Sequence, residues 1–378
     1  MIVSPTPTHP PVSGNRARIC AFISCLKALG CNIHFLHLER EKGDRNEMQN
    51  AWGDSYQFAA YQQPNRTLIQ KFIRKIKILF NSSERFQYSI DEWWDDSNDE
   101  LLKSLQEKYK FDVVMVEYVF FSKALSCFPS NVLKIIDTHD VFSNRYKKFL
   151  KKNMKPVWYS TTQKEESKAL DRADVVVAIQ DEERKFFKKI TQTSVITVGH
   201  LVELVRPDSP GGSFKILYVA SKNTNNLKSI EWFINEPLVK IRKILPEAEL
   251  NIAGTICDNL PDVAGVIKLG VVDDLADIYK QANVVINPMF NGTGLKIKNV
   301  EALGYSKPLV TSSVGAEGLE DGAGKAYLLA NDSEQFVSAV VKVLSDEAVS
   351  KELAVQAYNY ATSWNSEVMK SLEHILNK

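Results

Sequence analysis

The sequence predicts an α/β protein built from two doubly wound parallel-sheet (Rossmann-like) domains. Three observations lead there. The apolar, β-branched runs Phe111–Glu117 (FDVVMVE), Val132–Asp137 (VLKIID) and Asp174–Ile179 (DVVVAI) have the length and pattern of strands buried on both faces. Helix-competent stretches separate them, as repeated β-α units require. The alternation then stops at residues 201–213 (LVELVRPDSPGGS), whose prolines, glycines and serines have the composition of a linker, and restarts beyond it.

Taken in order, Ile2–Ser4 reads as a short strand, Pro5–Gly14 as a loop, Asn15–Leu29 as a helix and Asn32–Leu38 as a strand. Helices are expected over Thr161–Arg172 and Asp181–Lys189. In the second half, Lys215–Ala220, Glu249–Ile252, Val284–Ile286 and Leu309–Thr311 read as strands, with helices near 228–243, 274–281 and 333–345. The closing segment Lys351–Leu376 is helical, with a break expected at Trp364. The resulting domains are 1–200, a hinge at 201–213, 214–358, and a last helix at 359–378. Ligands of such sheets bind beyond the carboxyl ends of the strands, so the cleft across which the two domains would face each other is the expected site.

The 378 residues suffice for two domains of ordinary size. With 44% hydrophobic and 25% charged residues, the composition is that of a globular chain able to bury two cores. The net charge of +1 indicates no partner by itself, and nucleic acid is not expected. Cys20, Cys25, Cys31, Cys127 and Cys257 show no C-x-x-C or metal spacing and read as reduced thiols. No apolar run approaches the roughly 18 residues of a membrane span, and the start lacks the layout of a signal peptide. A cytoplasmic protein, peripheral on the inner face of the cell membrane, is expected.

The most informative segment is Asn287–Gly304 (NPMFNGTGLKIKNVEALG). Its turn, Gly292–Thr293–Gly294, leads through Leu295 into a helix-competent run, an arrangement that offers backbone N–H groups and a helix N-terminus to phosphate. Lys296 and Lys298 add positive charge where the helix macrodipole is already positive, a placement that gains the fold nothing. Glu301 lies on the face of Lys298, three residues on. A helix sets the two lysines about 200° apart, so Lys298 is favoured for the phosphate, and Lys296 is either a further donor contact or a solvated charge. Phosphate-facing amides, lysines and a hydroxyl-seeking carboxylate indicate a nucleotide-sugar diphosphate.

At these residues a family resemblance enters. The run Gly292–Gly318 (GTGLKIKNVEALGYSKPLVTSSVGAEG) resembles the donor-binding signature of the family-4 retaining glycosyltransferases of the GT-B fold, in a subgroup with a Gly-x-Gly-x-Lys-x-Lys loop. ILYVASKNTNNLKSIEWFI at 216–234, LPEAELNIAG at 245–254 and KLGVVDDLADIYKQANVVINP at 268–288 agree with it. The likeness is dense over 214–320 and thinner in the first half, where PTPTHPPVSGNRARI and DTHDVFSNR carry it. It implies that Glu301 hydrogen-bonds the ribose hydroxyls of the donor. Many members carry a glutamate eight residues earlier that contacts the donor sugar; here Thr293 holds that place.

The resemblance extends to further residues. The segment Ala220–Lys228 (ASKNTNNLK) falls where the family has a basic phosphate-binding turn, with Lys222 as donor contact and Asn225 or Asn226 able to cap the following helix. His139, beyond a buried strand, is implied to act on the donor sugar and its reacting bond; Asp140 either lines the acceptor side or caps the next helix. Gly14 permits close backbone approach to the donor diphosphate. Asn15 and Arg16, with Arg18, are assigned to an anionic acceptor or to the surface. Catalytic roles are thus expected of His139, Lys298 and Glu301, and donor contacts of Gly14, Lys222, Asn225, Gly292, Thr293, Gly294, Leu295, Lys296 and Glu301. Acceptor contacts are expected of Asn15, Arg16 and Asp140.

The expected reaction is retaining transfer of a hexose-type sugar from a nucleotide-diphosphate sugar to a hydroxyl of a glycan or lipid-linked glycan, in polysaccharide biosynthesis. No metal cluster or cofactor motif is evident, so metal independence and no cofactor are expected. A nucleotide-sugar 2-epimerase of the same architecture and a non-catalytic nucleotide-sugar-binding relative are the alternatives. One segment stands apart. Thr67–Phe80 (TLIQKFIRKIKILF) is an amphipathic helix with Leu68, Ile69, Phe72, Ile73, Ile76, Leu79 and Phe80 within an arc of about 140°. Lys71, Arg74, Lys75 and Lys77 lie outside the arc. This is the pattern of an interfacial helix on anionic lipid, or of a helix packed on its own domain. A second basic cluster occupies Arg145–Lys155 (RYKKFLKKNMK).

Overall fold

The computed structural model describes residues 1–11, 13–151, 155–156, 158–207, 214–272, 274–292 and 294–377. Two compact units emerge: one of Met1–Pro10, Leu26–Val198 and His374–Lys378, the other of Pro11–Cys25 and Gly199–Glu373. The strands are β1 Ile2–Ser4, β2 Phe35–Glu39, β3 Tyr56–Ala60, β4 Val113–Glu117, β5 Leu133–Asp137, β6 Val175–Ala178 and β7 Ser194–Thr197 in the first unit. In the second they are β8 Lys215–Val219, β9 Glu249–Ala253, β10 Val266–Gly270, β11 Val284–Asn287, β12 Leu309–Thr311 and β13 Leu328–Leu329. The helices are α1 Gly14–Ala28, α2 Arg45–Trp52, α3 Leu68–Phe80, α4 Asn98–Tyr109, α5 Arg145–Leu150, α6 Gln163–Leu170 and α7 Asp181–Phe187, then α8 Thr224–Asn235, α9 Pro237–Ile244, α10 Leu275–Gln281, α11 Ile297–Gly304, α12 Ser333–Ser345 and α13 Glu347–Leu376.

Both sheets are parallel throughout. The first has the order β3-β2-β1-β4-β5-β6-β7 and the second β10-β9-β8-β11-β12-β13. Each order reverses once, between β1 and β4 and between β8 and β11. Crossovers leave the sheet in opposite directions at such a point, so the strand ends there are left open to a ligand. Ser4 and Glu117 end the strands at the first reversal, Val219 and Asn287 those at the second. The two cores are separate and apolar: Val114, Val116, Phe120, Phe121, Ile136 and Val176 anchor one, Ile216, Tyr218, Phe233, Ile252, Ile286 and Phe336 the other.

Three sequence expectations are corrected. The helix near 228–243 is two helices, because Pro237 takes the first position of α9, where its missing N–H costs nothing. Trp364 does not break the last helix: α13 runs continuously for 30 residues. Its indole N–H donates to the carbonyl of His200 at 2.7 Å, and Asn365 bonds both the N–H and the carbonyl of Val202, at 3.1 and 2.7 Å. Tertiary contacts thus hold a residue of middling helix propensity in place. Third, Arg18 is no surface residue; it is fully buried and donates to the Gly199 carbonyl at 3.2 Å.

A buried amide network fixes the second reversal. Asn299 of α11 accepts from the Asn287 side-chain amide (2.9 Å) and donates to Thr311 Oγ1 (3.1 Å) and the Gly315 carbonyl (2.8 Å). Gly315 has to be glycine, since a Cβ there would lie 2.1 Å from Thr311 Oγ1. The ends of β11 and β12 are therefore tied to the helix that follows the loop. Asn299→Ala leaves the Asn287 amide and the Gly315 carbonyl buried without this partner. We expect a loss of about 2–4 kcal/mol of stability, measured by urea denaturation of variant and wild type; an unchanged midpoint would show that the network does not hold the loop.

Candidate active site

The loop between β11 and α11 sits at the second reversal. Gly294 has φ 75°, in the left-handed region that glycine enters without a Cβ penalty, and Gly292 has φ 156°. Thr293 lies outside the described residues. Leu295 is buried and anchors the loop. Lys296 occupies the cap position of α11 and is buried. Its ammonium donates to the Gly294 carbonyl and pairs with Glu317 at 3.3 Å. The solvated charge that sequence allowed for Lys296 is thus replaced by a residue that shapes its own loop.

Lys298 turns the other way, as the helical spacing requires. Its Nζ lies 3.2 Å from Asn226 Oδ1 of α8 and 3.3 Å from the hydroxyl of Tyr218 on β8, and 4.4 Å above the Tyr218 ring. Burial pushes its pKa down to about 7, and the nearby charge of Lys296 adds to the effect. Burial pushes the Glu301 carboxyl up to about 7, against the opposing pull of Lys298. Tyr279 and Tyr305 stack 4.4 Å apart; burial raises the pKa of both, and the charge of Glu301 adds to it. Among the described residues the Glu301 carboxylate has no hydrogen-bond partner. A half-buried lysine beside a half-buried carboxylate that bonds no other described side chain can receive an anion and hydroxyl donors with little rearrangement.

The turn after β8 completes this side. Asn223, not Asn225 or Asn226, caps α8: its side chain accepts from the Asn226 N–H at 2.9 Å. The helix begins earlier than sequence suggested because Asn223 keeps extended backbone geometry, the ordinary state of a capping residue. Asn226 is freed for Lys298, and its amide N–H donates to the Ser221 carbonyl at 2.8 Å. The Asn225 side-chain oxygen is buried and has no hydrogen-bond partner among the described residues. Lys222 is exposed; its main-chain N–H donates to Thr255 Oγ1 at 2.9 Å.

Gly14 opens α1, and a Cβ on it would stand 3.4 Å from Ile297 Cδ1, so the first turns of α1 and α11 adjoin. The Asn15 side chain accepts from Ser13 Oγ (2.5 Å) and the Arg16 N–H (3.0 Å). Arg16 is buried rather than a surface arginine. The second unit therefore brings together Gly14, Asn225, Lys296, Lys298 and Glu301. Tyr218, Asn226 and Glu317 are neighbours of these lysines that sequence reasoning did not assign to the site.

In the first unit, His139 stands beyond β5. Its Nε2 is 2.5 Å from Glu117 Oε2 and 3.6 Å from Asp137 Oδ2, and its ring stacks on Tyr118 at 4.1 Å. Glu117 and Asp137 are fully buried and directly opposed at the ends of β4 and β5. Their ligand atoms and that of His139 lie within 4.8 Å of one another, a grouping with the donors for a metal ion although no sequence spacing announced it. The signal was present as an acid ending the apolar run FDVVMVE. Asp140 accepts from Arg145 Nε at 3.0 Å and from the Val141 N–H at 2.8 Å. It does not cap α5, whose cap position is Asn144.

The pKa shifts set a pH dependence. Glu301 holds its proton more tightly folded than unfolded, so its contribution to stability is complete below about 4.5 and is lost as pH rises through about 7. Lys298 shifts the opposite way, and its contribution is lost as pH falls from about 10.5 through about 7. Stability of the ligand-free protein should dip near neutrality. Glu301→Gln should remove the fall between pH 5 and 7, read as urea midpoints across that range; parallel profiles for the two proteins would exclude Glu301 as the titrating group.

Comparison with known proteins bears on the second unit and on the fold. Residues 213–346 match the family model described as glycosyl transferases group 1. An uncharacterized 44.6 kDa protein in the cps region of Klebsiella pneumoniae is 28% identical over 148 residues, a match that spans 36% of this chain and only 38% of that protein's length. Among solved structures, sucrose-phosphate synthase from Thermosynechococcus elongatus superposes with a TM-score of 0.68 at 15% identity, covering 100% of this chain and 98% of that one. A TarM mutant from S. aureus, in complex with fondaparinux, alpha-GlcNAc-glycerol and UDP, gives 0.69 at 10% identity, covering 100% and 99%. WaaG, a glycosyltransferase involved in lipopolysaccharide biosynthesis, gives 0.62 at 14% identity and covers both chains completely. At such identities these structures establish the fold alone. The group 1 match lies in the second unit, and the chain as a whole shares the GT-B fold of these structures.

Proposed function

We propose that the chain is a retaining, metal-independent glycosyltransferase. It moves a hexose-type sugar from a nucleotide-diphosphate sugar to a hydroxyl of a glycan or lipid-linked glycan, on the cytoplasmic side, in cell-surface polysaccharide biosynthesis. The observation that carries this reading is the Lys298–Glu301 pair on α11, half-buried at the β8/β11 reversal, where Asn226 and Tyr218 hold the lysine and the carboxylate bonds no other described side chain. The UDP in the TarM complex and the lipopolysaccharide role of WaaG support the donor and product classes.

Separating a sugar with oxocarbenium character from its diphosphate builds negative charge on the leaving group. Lys298, half-buried on α11, is assigned to stabilise that charge together with loop amides and Lys222. Glu301 is assigned the ribose hydroxyls, which a carboxylate can accept in pairs. His139, positioned by Glu117, is assigned to the donor sugar. In this reading the leaving phosphate helps to deprotonate the acceptor, giving retention by front-face displacement. Asn15, Arg16 and Asp140 are assigned to the acceptor side.

A thermal-shift screen of nucleotide sugars, followed by turnover with and without a lipid-linked acceptor, tests the proposal. Acceptor-dependent sugar transfer is expected; donor conversion that needs no acceptor indicates an epimerase, and binding without turnover a non-catalytic relative. Glu301→Ala should weaken binding of the selected donor by about 1.5–3 kcal/mol in isothermal titration, and an unchanged affinity would remove it from the site. Lys298→Ala should lower kcat more than it raises KM, since the leaving group gains charge in the transition state. A rise in KM alone would make Lys298 a ground-state binder.

A further inference from the structure

The helix α3 turns its apolar arc outward. Leu68, Ile69, Leu79 and Phe80 are 72–85% exposed and Phe72 64%, with Ile73 and Ile76 also exposed. Among the described residues no other element exposes more than two large apolar side chains. A contiguous exposed patch of this kind marks an interaction surface. The opposite side of the helix fastens it to its own unit. Arg74 donates to the carbonyls of Gln87 (2.9 Å) and Arg85 (3.1 Å), lies 4.0 Å from Glu92 and sits 5.6 Å from the centre of the Tyr88 ring. Ile78 is half-buried. The reading of α3 as a helix packed by its apolar arc on its own domain is thereby overturned.

Arg74 leaves the outward-facing set of cations, and three remain. Lys71, Lys75 and Lys77 are exposed and have no ion-pair partner among the described residues. At about 100° per residue, Lys75 borders one edge of the arc and Lys77 the other. Long cationic chains at the rim of an apolar face can extend to anionic headgroups while the face enters the acyl boundary. Basic charge lies nearby as well. The turn Ser82–Phe86 packs against α3, and its Phe86 ring stacks on Tyr146 of α5 at 5.7 Å; there Lys147, Lys148 and Lys151 are exposed beside Leu150. Residues 152–154 of that cluster lie outside the described residues. No helix of the described residues is long and apolar enough to cross a membrane, so the contact would be interfacial.

We propose that α3 is a membrane-docking helix whose partner is an anionic lipid surface. Apolar area without charge would suit a second copy of the chain equally well. The lysines at both rims, with no acidic partner, select anionic lipid, and they would repel the same face of another copy. The surface would hold a lipid-linked acceptor within reach, but the proposal stands on α3 and not on the sugar-transfer reading.

Vesicle flotation tests it, with no donor or acceptor present, so its outcome is independent of catalysis. The whole protein should float with vesicles containing phosphatidylglycerol and not with phosphatidylcholine alone. Lys71→Gln, Lys75→Gln and Lys77→Gln together should weaken binding on the order of a hundredfold, at roughly fivefold for each basic residue near the surface. Phe72→Glu with Leu79→Glu should abolish it, with circular dichroism unchanged because both side chains are exposed. Raising salt should weaken wild-type binding, since exposed charges are screened within about 10 Å at 0.1 M. Absence of flotation with anionic vesicles overturns the proposal, as does equal binding of the triple variant. A wild-type dimer in sedimentation velocity that Phe72→Glu and Leu79→Glu convert to monomer, with no vesicle binding, assigns the face to a second copy instead.

Discussion

A parallel strand can reach its neighbour only by a crossover, so every strand of such a sheet ends on the same edge. Where the strand order reverses, the crossovers depart to opposite faces and leave the strand ends between them uncovered. That constraint organises this protein. Between β8 and β11 the strand ends lead into the 220–228 and 288–296 segments. The positions of Lys298, Glu301 and Asn226 follow from this topology, and the Asn287–Asn299–Thr311 network keeps the ends of β11 and β12 aligned with α11. Replacing that network by apolar packing would give a comparable core but would not specify where the loop turns.

The interior of the site opposes its own folding. Lys298 and Glu301 each sit where burial disfavours the charged form, and they relieve one another only in part. Asn226 and Tyr218 supply the lysine with two polar contacts, whereas the carboxylate has none among the described residues. Such an arrangement is costly in the empty protein and becomes favourable when a ligand brings the missing groups. The stability given up here is small beside what the two apolar cores contribute, so the fold tolerates it.

How much of this was legible in the sequence depended on where a residue sits in its sheet. All nine interior strands were read from the sequence, most plainly β4, β5 and β6, which are apolar runs because both of their faces are covered. The four unrecognised strands, β3, β7, β10 and β13, are the four sheet edges. Edge strands carry polar and half-exposed residues, as in YQFAA and VIKLG, which breaks the pattern. Lys298 and Glu301 were legible because helical spacing joins them locally. The partners of Lys298 were not, since Tyr218 is 80 residues away and Asn226 is 72. Arg18 misled for a related reason: an arginine on a helix gives no sign of the carbonyl that will bury it.

The first unit shows the same economy at its own strand ends. Glu117 and Asp137 close adjacent strands in register, and left-handed residues follow each within two positions, Tyr118 with φ 70° and His139 with φ 61°. Conformations of this kind cost of order 1–3 kcal/mol each and persist only where the surroundings over-determine them. Here the surroundings are identifiable. The Tyr118 N–H donates to the Asp137 carbonyl at 2.9 Å, the two rings stack, and Glu117 and Asp137 face the imidazole. Straightening either turn would break the stack and leave two buried carboxylates without the imidazole. The strain and the electrostatics therefore hold each other in place, and together they fix the orientation of the His139 ring.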